Sequence, residues 1–217
     1  MLRGERSLEF FNGQFLLVTR NGASEQFKFL SPEVVAAAFR NGPVDSGWLP
    51  PAVVRCGSTV QGDFAVLFIP ARVHQLTIVT GKVERIVSLS VPLPSMLFFG
   101  IAKSFYVWAM KESQFKPTAQ LFRCPTPNVF SNGSICWGSN RPPRASSATI
   151  AKAWDLFITS AFSDHAAEGK SRSHPKDVRG LLAKLRNKKK FPLAELMNAG
   201  GTAKTIIDNS IGGSHGD

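Results

Sequence analysis

Thr126-Pro-Asn-Val-Phe-Ser-Asn-Gly-Ser-Ile-Cys-Trp137 sets one cysteine, Cys136, eight residues beyond the Pro127-Asn128 pair. Pro127 pre-sets the backbone, and Asn132-Gly133 is the strongest turn dipeptide in the stretch. The chain is therefore expected to fold back between Asn128 and Cys136. A thiolate attacks carbonyl carbon readily, and a side-chain amide can donate to the oxyanion that develops there. This spacing supports acyl transfer, with Cys136 attacking or carrying and Asn128 stabilising. A cysteine taken alone is more often a small buried hydrophobe, and a Pro-Asn pair often only begins a turn.

The stretch resembles the active-site signature of ubiquitin-conjugating enzymes, which reads His-Pro-Asn, then an aromatic, a turn glycine and Ile-Cys at this spacing. Pro127, Asn128, Phe130, Gly133, Ile135 and Cys136 match, and Thr126 stands where that family has its loop-shaping His. Downstream, Thr149-Ile150 opens an amphipathic helix at the distance where those enzymes begin the helix after their active-site loop. Four further segments carry the likeness outward: Asp45-Ser-Gly-Trp-Leu-Pro-Pro51, Val91-Pro-Leu-Pro94, Tyr106-Val-Trp-Ala109 and His174-Pro-Lys-Asp-Val-Arg179. They are similar to the bacterial family called PRTRC system protein B, the prokaryotic ubiquitin-conjugating-enzyme-like family D, over roughly residues 25 to 200.

That resemblance implies an α+β, UBC-like fold with a short N-terminal helix, an antiparallel β-meander, the active-site loop and then packing helices. It implies a transferase that accepts a ubiquitin-like protein from a ThiF-like activating enzyme as a thioester on Cys136 and passes it to an amine or other acceptor. A JAB-type peptidase and a ParB-like protein are the other implied partners, encoded together and often on plasmids. No metal or organic cofactor is implied, ATP being used by the activating partner. Thr126, Pro127, Gly133 and Trp137 are the supporting loop.

The family carries a histidine on the C-terminal side of its cysteine. Of four histidines here, His74 precedes Cys136 and His215 lies in a Gly-rich tail, which leaves His165 and His174. His165, in Ser163-Asp164-His165, falls where ubiquitin-conjugating enzymes place a polar group beside the incoming nucleophile, with Asp164 as its neighbour. Imidazole ordinarily titrates near neutrality, at about 6.5, so His165 can take a proton from an attacking amine or water, or lower the thiol pKa as a cation. A His165 that only caps the preceding helix through its positive charge is an equal reading. His174, before Pro175, reads as the approach to the last helix.

Working outward, Leu8 to Arg20 alternates around Asn12-Gly13, so an N-terminal strand pair over residues 1–24 is expected as an addition to the core. Ser31-Pro32-Glu33 supplies an N-cap, a first-turn proline and an early acid for a helix ending at Asn41-Gly42. Strands are expected at Phe64–Ile69, Gln75–Val79, Glu84–Val91 and Ser104–Trp108, each followed by Gly, Pro or polar residues. The spacing of Ile150, Trp154, Phe157, Ile158 and Ala161 predicts a helix that covers the sheet. The catalytic core is placed at 25–168, a basic helical region at 169–199, and a flexible tail at 200–217.

Residues 170 to 190 hold nine Lys or Arg and one acid, Asp177. Val178, Leu181, Leu182 and Leu185 fall on one helical face, so the expected helix packs by its leucines and presents a basic surface. With a net charge of +11, Lys184, Arg186, Lys188, Lys189 and Lys190 suit an acidic protein partner such as the ubiquitin-like protein or its activating enzyme. Nucleic acid is the less favoured partner, because no aromatic platform interleaves the charges. Cys56, Cys124 and Cys136 lack the close Cys or His neighbours of a zinc site and are expected as free thiols, with Cys124 an open alternative nucleophile. No apolar run reaches about 18 residues, and the N-terminus lacks a secretion signal, which points to a cytoplasmic protein. Two other functions stay open on the sequence: a catalytically idle scaffold of the same fold, and a basic DNA-associated protein.

Overall fold

The computed structural model describes residues 5–40, 47–80 and 85–212. It divides into two compact units, Met1–Trp48 and Leu49–Asp217. In the first, β1 (Glu5–Phe11), β2 (Gln14–Asn21) and β3 (Ser24–Leu30) form an antiparallel sheet in the order β1-β2-β3. Asn12 and Gly13 both take positive φ, which closes the first hairpin in two residues. Helix α1 (Pro32–Arg40) follows, with the Ser31 hydroxyl accepting from the Val34 amide. The strand pair expected over residues 1–24 is thus a three-stranded sheet. Its third strand and α1 cluster with the N-terminal unit, so the compact boundary falls after Trp48 and not after residue 24.

The second unit is α+β and mostly antiparallel. Its larger sheet contains β4 (Val53–Thr59), β5 (Gly62–Ile69), β8 (Ser95–Ile101), β9 (Ser104–Met110), β10 (Gln120–Arg123) and β12 (Asn198–Thr202), in the order β12-β10-β9-β8-β5-β4. The expected meander is interrupted. β6 (Arg72–Thr80) and β7 (Arg85–Leu93) leave this sheet as a separate hairpin, and β5 pairs directly with β8. Pro70 and Pro94 bracket the departing hairpin, each a residue with no N–H to donate to a ladder. The short β11 (Ala161–Phe162) joins the hairpin parallel to β6, through Ala161 opposite Thr77 and Phe162 opposite Ile78.

Strand alternation divides the core into two faces. Met96 and Phe98 of β8, with Phe105 and Val107 of β9, face one cluster; Leu97 and Phe99, with Trp108 and Met110, face the other. Every residue of β8 is buried. Helix α2 (Ile150–Thr159) covers the first face, with Trp154 and Phe157 against Phe98 at ring-centroid distances of 5.5 and 6.3 Å. It ends at Thr159, so Ala161, expected on its buried face, is an exposed strand residue instead. Burying a side chain such as Phe98 contributes about 2–3 kcal/mol, and the edge-to-face contact with Trp154 adds about 1 kcal/mol.

The C-terminal part departs from expectation in two ways. Val178, Leu181, Leu182 and Leu185 are buried, but α3 (Arg179–Lys184) is six residues long, with Val178 and Leu185 as its flanking caps, and Arg186 and residues 188–190 lie beyond its end. Asn187 has positive φ and donates its amide to Ser90 O, which turns the chain there. From Asn198 the chain is a strand, β12, then helix α4 (Ala203–Gly212), whose Ala203 and Ile207 cover the second core face. The expected loose end at Gly200 is therefore structured through Gly212, since a helix presenting two apolar residues to Leu97 and Phe99 has a face to bury. His215 lies outside the described residues. Among the described residues no helix is long and apolar enough to cross a membrane.

Candidate active site

The stretch around Cys136 folds back as a narrow loop. Val129 and Ile135 pair across it, the Phe130 amide donates to Ser134 O at 2.8 Å, and Ser131 to Gly133 form the tip. The loop docks on the start of β9, with the Val107 amide donating to Gly133 O at 2.8 Å and the Ile135 amide to Phe105 O at 3.0 Å. Gly133 has φ +88, and any Cβ there would overlap the Trp108 indole, so the tip requires glycine for both conformation and space.

Asn128 is the junction of the site. Its backbone is left-handed, φ 58, a conformation that asparagine tolerates better than most residues. Its amide donates to His165 O and its carbonyl accepts from the Cys136 amide, each at 2.8 Å. Its side chain crosses to the segment after α2, where Nδ2 donates to Ala161 O at 3.0 Å and Oδ1 accepts from the Ser163 hydroxyl at 3.1 Å. A carbonyl can only accept, so Ala161 fixes which end of the amide carries nitrogen. The amide retains a second N–H.

Asn128, Cys136 and His165 all line one open groove of about 350 Å³, together with Trp137 and Ser163 and with the small residues Gly138 and Ser139 at its side. Cys136 is a free, half-buried thiol. Trp137 packs its ring edge-on against Phe105 and Phe157, which ties the residue after the cysteine to the core. His165 is exposed, with its ring edge-on to Phe130 at 5.4 Å and its amide donating to the Ser163 hydroxyl. The end of α2 is closed by the hydroxyls of Thr159 and Ser160 on Asp155 O and Phe157 O, and Ser160 lines the same groove as His165.

The remaining expected residues lie around this groove. Asp164 is exposed beside His165, while Thr126 and Pro127 are buried beneath the loop. The Thr126 hydroxyl sits 3.2 Å from the Cys124 sulfur. Cys124 is 1 % exposed and its thiol is pushed up by burial, which removes it as a competing nucleophile in this conformation. Sequence reasoning missed two supports: the Ala161 carbonyl, aligned by the parallel β11–β6 pairing, and Lys170. In the sequence Lys170 belongs to the basic run, yet it is 2 % exposed and donates to Thr126 O and Val129 O. No local sequence signal marks it, because the carbonyls it meets come from a segment some forty residues earlier.

Lys184, Arg186, Lys188, Lys189 and Lys190 are exposed and none lines the Cys136 groove. Lys189 and Lys190 join Arg72 and Lys111 around a second cavity of about 350 Å³ floored by Leu93, Phe191 and Leu193. Arg72 begins β6, whereas Thr77 and Ile78, which hold β11 beside the groove, lie near its other end.

The family described as Prokaryotic E2 family D matches residues 26–199. The chain belongs to that family. Its match runs from β3 of the first unit through to β12, so Prokaryotic E2 family D here includes the whole groove, the buried Lys170 and the basic cavity. The N-terminal β1 and β2 and helix α4 lie outside the matched span. Neither a curated protein nor a solved structure matches the chain.

Proposed function

We propose that this member of Prokaryotic E2 family D is a thioester-forming ubiquitin-conjugating-type transferase of UBC-like fold, and specifically a PRTRC system protein B. The supporting observation is the convergence of Cys136, Asn128 and His165 on one open groove. A ThiF-like enzyme uses ATP to activate the C-terminal carboxyl of a ubiquitin-like protein. The Cys136 thiolate attacks that activated carbonyl, a C–S bond forms, and the activating enzyme's leaving group departs with the electron pair of the bond that breaks. In the second step an acceptor amine attacks the thioester; the new C–N bond replaces the C–S bond, and Cys136 leaves as thiolate. The free N–H of Asn128 donates to the oxyanion, and His165, beside Asp164, takes the proton that the amine sheds. The small residues Gly138 and Ser139 leave room for an extended peptide tail beside the sulfur.

The basic cavity around Arg72, Lys111, Lys189 and Lys190 is the docking site for an acidic, partly apolar surface of the ubiquitin-like protein or of the activating enzyme. Lys184, Arg186 and Lys188 extend its field. A JAB-type peptidase and a ParB-like protein complete the cytoplasmic bacterial pathway, and no metal or organic cofactor takes part in the steps on this chain.

The test is reconstitution of the purified protein with the ThiF-like enzyme, the ubiquitin-like protein and ATP, resolved with and without reductant. The expected result is a reductant-sensitive adduct on the wild type that Cys136→Ser abolishes or converts to a reductant-stable ester. ATP consumption without any adduct would sink the transferase reading in favour of a non-covalent scaffold.

A further inference from the structure

Lys170 is the most deeply buried cation among the described residues, and its partners are peptide carbonyls. Its ammonium donates to Thr126 O and Val129 O, the two carbonyls that flank the Pro127-Asn128 pair. Among the described residues no carboxylate lies within salt-bridge reach of it. The charged groups facing it are the Cys124 thiol and the Arg123 guanidinium, both from β10 and the chain just after it. Arg123 also donates to Gly169 O at 3.1 Å, which holds the residue before Lys170 in place.

Burying an ammonium carries a heavy desolvation cost, and a loop needing only hydrogen-bond satisfaction can obtain it from a hydroxyl or a water at lower cost. A point charge, however, draws two carbonyls toward a single centre. The peptide segment between them must then turn outward, and the residue at that turn is Asn128, in left-handed conformation, with its amide on His165 O and its carbonyl on the Cys136 amide. We infer that Lys170 is a positioning residue for the Cys136 site: its buried ammonium, gathering Thr126 O and Val129 O, holds Asn128 in the conformation that aligns it with Cys136. The Thr126 side chain meets the Cys124 sulfur instead. Burial, with a smaller contribution from Arg123, lowers the Lys170 pKa to about 8, against the partly opposing effect of Cys124. The hold on the loop therefore weakens as the ammonium loses its proton above about pH 8.

The role of this contact in transfer rests on the conjugating reading, but the geometry is tested without it. In full-chain Cys136→Ser protein, where the groove thiol contributes nothing, the carbonyl carbons of Thr126 and Val129 and the Cε carbon of Lys170 are followed by NMR on either side of about pH 8. The expected result is one shared midpoint, with the amides of Leu97 and Phe99 in β8 unmoved. In Lys170→Met the carbonyl titration disappears, and hydrogen exchange at the Asn128 amide and at the amide of position 136 quickens by about tenfold or more, while β8 keeps its protection. Carbonyl shifts that ignore the Lys170 midpoint overturn the inference, and they do so whether or not Lys170→Met folds. So does a folded Lys170→Met with unchanged exchange at both amides. In the Cys136-containing protein, a preformed thioester on Lys170→Met should discharge to free lysine about tenfold more slowly than on the wild type. A wild type that never charges would count against the transferase reading alone, leaving the NMR and exchange results to decide the positioning role.

Discussion

The Cys136 amide donates to the Asn128 carbonyl at 2.8 Å, so the proposed nucleophile and the amide proposed to stabilise the oxyanion are two ends of one closed loop. Moving either backbone moves the other. Asn128 thus has a conformational role and a chemical role, and two substitutions separate them. Asn128→Gly accepts φ 58 without strain but lacks the amide; Asn128→Ala lacks the amide and is strained as well. Asn128→Ala should lose about 1–3 kcal/mol of stability, and Asn128→Gly less than Asn128→Ala. Both should slow aminolysis of a preformed thioester by about a hundredfold or more. Chemical denaturation and single-turnover discharge measure the two effects; a fast Asn128→Gly would remove the amide from the mechanism.

Gly133 lies against the face of Trp108, on a tip that must turn with φ +88. Gly133→Ala adds a methyl group where the indole already sits and imposes left-handed strain, so it should cost about 2–4 kcal/mol. Urea unfolding would measure it. A loss under about 0.5 kcal/mol would mean that the tip does not pack on β9 as described.

How much of this was legible in the sequence depends on the range of the signal. The loop was legible because a Pro-Asn pair, an Asn-Gly turn and a cysteine sit within twelve residues of one another. Helix α2 showed its apolar face at helical spacing, and α1 showed its cap and first-turn proline. β8 was not anticipated: Ser95 to Ile101 is covered on both faces, so it shows no alternation, and prolines precede it. The exit of β6 and β7 from the sheet is a choice of pairing partner, which strand composition does not encode. Lys170 looked like one more charge in a basic run, because only the folded chain brings Thr126 and Val129 to it. Gly200-Gly201 suggested a loose end, while the pairing of β12 with β10 that makes it a strand involves residues about eighty positions away.

Ile207 tests the C-terminal correction. It is 3 % exposed and covers the second core face. Ile207→Asp places a carboxylate among Leu97, Val66 and Ala203, and should lower stability by at least about 2–3 kcal/mol. A loose tail would tolerate the change with no shift in the unfolding midpoint, so thermal or urea unfolding decides directly.

His74 gives the fold a pH dependence. It is buried edge-on to Trp154, with Nε2 accepting from Arg72 Nε at 3.4 Å. Burial, with Arg72 adding to it, lowers its pKa from 6.5 to about 4. Between those values the unfolded chain binds more protons than the native one, so stability falls as pH drops from 6.5 toward about 4, and His74 adds no pH dependence above that window. His74→Phe keeps a ring against Trp154 and should flatten this slope. The comparison is of wild-type and variant urea midpoints across the window; parallel curves would show that His74 is not held neutral by the core.

The three thiols should differ in reactivity for reasons of access and charge. Cys136 is half-buried at the wall of an open groove, whereas Cys124 lies beneath the loop at 1 % exposure with its thiol pushed up by burial. Attack by a thiolate needs both the charged form and a path for the electrophile. Limiting iodoacetamide on native protein should therefore alkylate Cys136 and spare Cys124, with Cys56, half-buried on β4, as an internal comparison. Peptide mapping by mass spectrometry at successive times gives all three rates in one experiment. After unfolding in urea, Cys124 should react at a rate comparable with the others, because its protection belongs to the fold. If Cys124 instead labels as fast as Cys136 in native protein, the packing of Thr126 and Lys170 beneath the loop opens on the labelling timescale, and the assignment of Cys136 as the sole acyl carrier fails with it.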